Sequence, residues 1–421
     1  MTTSPLNITG ASALEILDSR SHPTVQVTLT TADGRTLVAG VPSGASTGAK
    51  EAVELRDGDA ARYSGRGVTK AVANVDGELA DLLTSKPWSS LEELDHAMID
   101  LDGTPNKGRL GANAILGVSM AAARGFAGDQ PLWQSLNPEG VAPRLPVPCF
   151  NVLNGGVHAP NDLDFQEFML SPIGAPSFAE ALRAGSEVYA KLRALLQSKG
   201  DDTGLGDEGG FAPQISSPEE VLALIVQAIK DAGYEAGKGG VAIAMDPASS
   251  EFHRDGAYYV AGEALSTDDM IARYEQILKD FPVWSLEDGL AEDDWDGWVK
   301  LTAQLGDKVQ LVGDDIFCTN PAIIAEAIDR HIANSALIKL NQIGTVTETL
   351  DAQALCRAND YPQMVSHRSG ETPDTFIADL VVATGAGQIK SGAPARGERV
   401  AKYNRLLEIA AANADMPYGL A

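Results

Sequence analysis

From Ile8 to Val41 apolar and polar residues alternate, as they do in strands with one buried face, and Val25, Val27 and Leu29 share that face. Within this stretch Ala32-Asp33-Gly34 predicts a hairpin turn. The period then lengthens. Apolar positions recur at helical spacing from Val68 to Leu83, from Leu91 to Ile99 and from Leu110 to Ala127. The last of these is so rich in Ala, Leu, Ile and Met that it predicts a helix packed on both sides. Pro138, Pro143, Pro146 and Pro148 crowd the next segment. They predict a boundary between an N-terminal domain, 1–137, and a larger domain, 138–421.

Beyond the boundary, short apolar runs end in polar residues again and again. Val241 to Asp246, Val283 to Glu287 and Val309 to Asp314 are three of them. Ser335 to Lys339, Gln363 to His367 and Gly387 to Lys390 are three more. Their polar ends stand 41, 27, 25, 28 and 23 residues apart, with amphipathic stretches such as Pro321–Ile332 and Val346–Ala358 between them. A strand, a helix and two loops need about that length. Near-continuous apolar strands alternating with helices predict an α/β fold built as a parallel β/α barrel, whose reactive side chains sit at the C-terminal ends of the strands. One acidic strand end is unremarkable; six polar ends directed to one face are hard to explain by solvation.

A chain of 421 residues exceeds one ordinary core, which agrees with two domains. Its formal net charge of −26 argues against nucleic-acid and anionic-membrane partners, and an anionic substrate would need local cations to enter. No apolar run reaches membrane-spanning length, and Met1 to Pro5 lacks the basic and apolar regions of a signal peptide. The three scattered cysteines, Cys149, Cys318 and Cys356, read as reduced thiols, so a cytoplasmic protein is expected.

The strand ends carry definite chemistry. Asp246, Glu287 and Asp314 would repel one another unless a hard divalent cation joined them, and oxygen ligands with open positions suit Mg²⁺. Lys339 closes an apolar run. Alone it reads as a lysine snorkelling out at a strand end; beside a metal it reads as a general base whose pKa is depressed by like charge. His367-Arg368-Ser369-Gly370 follows another strand end and suits an anion such as phosphate. Gly204-Leu205-Gly206-Asp207-Glu208-Gly209-Gly210 matches a dinucleotide fingerprint in form only, since no strand precedes it and Pro213 follows; it reads as a tight turn presenting Glu208. His158 and Glu167 read equally well as buried polar residues of a core. The small-residue loop from Pro42 to Glu51 has no phosphate-loop spacing and reads as a mobile segment. Glu292-Asp293-Asp294-Trp295 reads as a solvated loop opening a helix.

Pro42-Ser-Gly-Ala-Ser-Thr-Gly48, Asn151-Val-Leu-Asn-Gly-Gly156, Gly206-Asp-Glu-Gly-Gly210, Val312-Gly-Asp-Asp315, Ser366-His-Arg-Ser-Gly-Glu-Thr372 and Lys402-Tyr-Asn404 together resemble the enolase family, over about Ile16 to Ile409. The resemblance implies a small α+β capping domain on an eight-stranded, TIM-like barrel whose first strands are not all parallel. It implies a glycolytic hydro-lyase, the reversible dehydration of 2-phosphoglycerate to phosphoenolpyruvate through an enolate. By the same resemblance Lys339 takes the C2 proton, and Glu208, with Glu167 beside it, protonates the departing hydroxyl. Asp246, Glu287 and Asp314 hold the first of two Mg²⁺ ions and Ser46 the second. Lys390, His158, Glu167, Gln166, His367, Arg368, Ser369 and Ala45 contact a phosphorylated hydroxy acid.

The resemblance is not uniform. Ser19-Arg-Ser-His-Pro-Thr24, Glu287-Asp-Gly-Leu290 and Gly370-Glu-Thr-Pro-Asp374 depart from the family's usual residues. Gln26 and Glu408 stand where an ion pair usually links two subunits, although a homo-oligomer is still expected. These drifts around a retained set of site residues admit a second reading, an enzyme of secondary metabolism acting on a phosphonate or phosphinate analogue. Retention of Lys339, Glu208 and the three carboxylates speaks against a non-catalytic binding protein.

Overall fold

The computed structural model describes residues 5–45 and 47–420. Near the N-terminus β1 (Ile8–Leu17), β2 (Pro23–Thr31) and β3 (Thr36–Gly40) form an antiparallel sheet in the order β1-β2-β3. Val25, Val27 and Leu29 are fully buried, as the alternation requires. Gly34, at φ 85°, turns β2 into β3 where Ala32-Asp33-Gly34 predicts the hairpin. The helix Ala112–Ala127 lies against this sheet and is buried nearly all round. Its Gly117 permits the contact: a Cβ there would stand 2.5 Å from a Val27 methyl.

Two further predicted helices form with altered ends. The stretch from Val68 to Leu83 becomes three helical turns run together, Thr69–Asn74, Val75–Leu79 and Ala80–Thr84. Gly77, at φ −107°, ψ −105°, leaves helical geometry and kinks the middle stretch. The next helix runs on to Asp102, as Leu91–Asp102. Ser90 caps its start by accepting from Glu93 N, and Gly103 ends it at φ 68°. On its buried face Asp95 Oδ2 accepts from Ser119 Oγ at 2.9 Å, Thr347 N at 3.0 Å and Thr347 Oγ1 at 2.7 Å. Thr347 belongs to the helix Val346–Ala358, so this carboxylate joins the N-terminal region to the barrel.

The barrel opens with β4 (Val147–Asn154), β5 (Glu167–Ser171) and β6 (Ala242–Asp246). A short side sheet follows, made of β7 (His253–Arg254), β8 (Ala257–Val260) and β9 (Glu263–Leu265). Then come β10 (Val283–Glu287), β11 (Gln310–Gly313), β12 (Ser335–Ile338), β13 (Gln363–Ser366) and β14 (Gln388–Lys390). Eight strands close in the order β10-β11-β12-β13-β14-β4-β5-β6. All neighbours are parallel except at β5, which runs against both β4 and β6. Cys149, Met169, Ala242, Ala244, Trp284, Val312, Leu337 and Met364 form a separate apolar cluster contributed by the barrel strands. With that core filled by apolar side chains, the charged residues of the strands gather at the mouth. All three cysteines are buried and free. Between β11 and β12 the helix Pro321–Asp329 stops short of Ile332, where His331 and Ala333 take positive φ and turn the chain.

Candidate active site

The reversal of β5 decides one side of the mouth. Its first residue, Glu167, pairs in register with Asp246, the last residue of β6, so a strand start lies among strand ends. In the ring of eight, β5 and β12 stand opposite each other. Glu167 therefore faces Lys339 across the mouth, each on its own wall.

Lys390, at the end of β14, reaches over this ring. Its Nζ lies 2.9 Å from Asp246 Oδ2, 2.8 Å from Glu287 Oε1 and 3.1 Å from Glu167 Oε1. Burial alone would lower its pKa, yet these carboxylates carry it well above the ordinary lysine value. Lys339 pairs with Asp314. The sequence predicts a lysine depressed beside a metal ion; among the protein groups alone the balance runs the other way. Burial does pull it down, but the Asp314 charge outweighs burial and Lys339 stands above the ordinary lysine range. Asp314, in turn, is held low by Lys339 against the effect of burial. Glu287 is raised by burial and by Asp246, and its Oε2 is buried without a hydrogen-bond partner.

Asp288 supports this acidic group from behind. Its Oδ1 accepts from Asp314 N and its Oδ2 from Asp315 N, both at 2.9 Å. Asp288, Asp314 and Asp315 bring ligand atoms within 4.8 Å of one another, as do His158, Glu167 and Glu208. Asp246 and Glu287 meet at Lys390 instead. An all-oxygen set of buried carboxylates with an unpartnered oxygen at Glu287 suits a hard divalent cation. Of the three carboxylates expected to hold a metal, Asp314 belongs to one of the converging groups, while Asp246 and Glu287 are drawn to Lys390.

The opposite wall is a coupled acid pair. Glu208 sits in the turn that the sequence predicts, where Gly209 takes φ 89° and no helix follows. Asn151 Nδ2 donates to Glu208 Oε2 at 2.9 Å, and His367 Nε2 lies 3.2 Å from the same oxygen. Arg399 Nη1 lies 2.6 Å from His367 Nδ1. A guanidinium can only donate, so Nδ1 accepts and the ring proton sits on Nε2, facing Glu208. Burial holds His367 down to about 3, in its neutral form. His158 Nδ1 stands 3.8 Å from Glu167 Oε1 and 3.7 Å from Glu208 Oε1. Burial raises Glu167 well above the carboxylate range and the nearby Glu208 raises it further. Burial would also raise Glu208, but the imidazoles hold it well below. The environments of these two facing carboxylates therefore push them apart, Glu167 up and Glu208 down.

One small cavity is lined by His158, Gln166, Glu167, Glu208, Asp246, Lys339, Ser366, His367, Arg368, Ser369 and Lys390. It unites ten of the fourteen residues expected at the site, without Glu287 and Asp314. Gln166 is buried with an unpartnered Oε1, and its backbone N donates to Asp246 O at 3.1 Å. Arg368 pairs with Glu51, and Ser369 Oγ accepts from Arg20 Nη1 at 3.1 Å. Ala45 is not brought in; it is exposed on its loop. Ser46 lies outside the described residues. As predicted, Asp294 opens a helix by accepting from Gly297 N. A larger cavity of about 570 Å³, lined by Gln310, Arg357 and Gln363 among others, lacks converging carboxylates.

Several working residues had no predicted role. Asp288 follows a strand-end carboxylate directly, which is a usable signal; Gln342, Asn151, Arg399 and Glu51 carry none that spacing reveals.

Comparison with known families agrees with this geometry. Residues 8–136 match the family described as enolase, N-terminal domain, and residues 142–417 match enolase, C-terminal TIM barrel domain. Over 399 residues the chain is 56% identical to a protein named enolase from Rubrobacter xylanophilus, covering 94% of this chain and 92% of that protein.

Proposed function

The chain belongs to the enolase family, and from that premise we propose how its barrel mouth dehydrates 2-phosphoglycerate to phosphoenolpyruvate. The likeness over nearly the full length of both chains does not favour the phosphonate or phosphinate reading. One observation carries the mechanism: a lysine and a pair of carboxyl groups stand on opposite walls of one mouth and line one cavity. Dehydration needs that arrangement, with a base at C2 and an acid at the C3 hydroxyl.

Lys339, as the neutral amine, takes the C2 proton. Lys390 sets its ammonium against the substrate carboxylate, whose charge doubles as the enolate forms. Glu208, with Glu167 beside it, protonates the leaving hydroxyl, and His367 and His158 orient the pair. Arg368 and Ser369 take the phosphate, while Gln166 completes the contacts to substrate. Asp246, Glu287 and Asp314 would hold one Mg²⁺ and Ser46 a second. When bound, the metal supplies positive charge facing the substrate carboxylate and neutralises the Asp314 charge that otherwise keeps Lys339 protonated. The domain division at residue 137, a homo-oligomeric state and a cytoplasmic setting are part of the same reading; no helix among the described residues is long and apolar enough to cross a membrane.

The test is Mg²⁺-dependent formation of phosphoenolpyruvate from 2-phosphoglycerate, followed by absorbance. Steady turnover that chelation abolishes is expected. Pure, magnesium-loaded protein without turnover would refute the reading.

A further inference from the structure

Arg368 already holds an anion that the chain itself supplies. Its Nη1 donates to Glu51 Oε2 at 2.9 Å and its Nη2 to Glu51 Oε1 at 3.1 Å. Arg368 is buried at 3% exposed and Glu51 is nearly so at 9%. Two more donors complete the seat at Oε1: Gly48 N at 3.1 Å and Gln342 Nε2 at 3.4 Å. Gln342 Nε2 also donates to Asp314 Oδ1 at 2.8 Å, which ties the seat to the carboxylates at the end of β11. A carboxylate on a guanidinium fork uses the donors that two phosphate oxygens would use.

We propose that Glu51 is an internal competitor for the phosphate seat. Its carboxylate fills the Arg368 fork in the substrate-free enzyme and must yield it to the incoming phosphate. Glu51 is then a specificity-determining residue: it sets a threshold that a phosphate dianion passes and a singly charged ligand does not. An occupied fork lowers apparent affinity in proportion to the fraction of molecules in which it is free. The proposal rests on Arg368 being the phosphate arm.

The experiment is calorimetric titration of the magnesium-loaded full chain with inorganic phosphate, comparing wild type with Glu51→Gln, Glu51→Asp and Arg368→Gln. Glu51→Gln keeps an oxygen for Gly48 N, Gln342 and Arg368 Nη2 but loses the charge and the second acceptor that Nη1 uses, so its hold on the fork weakens. We expect phosphate to bind roughly 3–10-fold more tightly, and KM for 2-phosphoglycerate to fall in parallel. Merely loosening the loop would raise KM and lower kcat together. Glu51→Asp keeps the charge but falls a methylene short of the fork, so it too should tighten binding. Tightening in Gln but not in Asp would assign the effect to general charge and overturn competition. Unchanged or weaker phosphate binding in Glu51→Gln would overturn it as well, and would make Glu51 an orienting partner of Arg368. If Arg368→Gln binds phosphate like wild type, the phosphate-arm reading itself has failed, and the competitor proposal with it.

Discussion

Two buried acidic regions of this molecule solve the same problem differently. At the barrel mouth Asp246, Glu287 and Glu167 surround one ammonium, Lys390, and Asp314 pairs with Lys339. At the junction between the N-terminal region and the barrel, Asp95 has only neutral donors, two hydroxyls and a backbone N–H, and its Oδ1 has no partner. At the mouth a cation lies against each of these carboxylates and Lys339 holds Asp314 low, although burial still raises Glu167 and Glu287. Without a cation, burial pushes Asp95 up to about 6, so it tends toward a neutral clasp. Buried acid alone therefore does not mark a functional site; buried acid with counter-charge does.

The difference can be broken from the mouth outward. Lys339→Ala should cost turnover about 10⁴-fold, the upper range for a general base, with thermal stability changed far less. Retained activity would remove the lysine from its role. Lys390→Met should cost about 4 kcal/mol in urea unfolding, because it leaves three carboxylates facing one another without their cation. A stability equal to wild type would show that those carboxylates do not depend on it.

The junction should respond to pH. Asp95 is raised in the folded state, so its contribution to stability is full below about 3.8 and is lost as pH rises through about 6. The rise is worth about 3 kcal/mol. Asp95→Asn stays neutral throughout, so the difference in unfolding free energy between variant and wild type should change across that window. A constant difference from pH 4 to 6 would contradict the clasp. At the small end, Lys300→Ala removes an exposed pair with Asp268 and should leave the melting temperature unchanged within error.

The mouth was largely legible in the sequence because its residues end strands. A period of about 25 residues and an apolar run before each polar end were enough to align Asp246, Glu287, Asp314, Lys339, His367 and Lys390. The first two barrel strands were not legible that way. Glu167 begins a reversed strand, so the rule of looking at strand ends passes over it, and only the family resemblance singled it out with purpose. Asp95 was invisible for a different reason. It lies inside an amphipathic helix of otherwise ordinary pattern, and its partners come from 24 and 252 residues away. Lys339 stands at the mouth where its strand-end position puts it, but its pairing with Asp314 cannot be read from spacing.

The central claim is that Lys339 is the base and the Glu208–Glu167 pair is the acid. Exchange of the C2 proton of 2-phosphoglycerate in deuterated, magnesium-containing buffer tests it most directly, since it reports proton removal apart from loss of the hydroxyl. Wild type and Glu208→Gln should both exchange, with Glu208→Gln making little product, while Lys339→Ala should do neither. Exchange persisting in Lys339→Ala, or vanishing in Glu208→Gln while Lys339 is intact, would contradict the assignment.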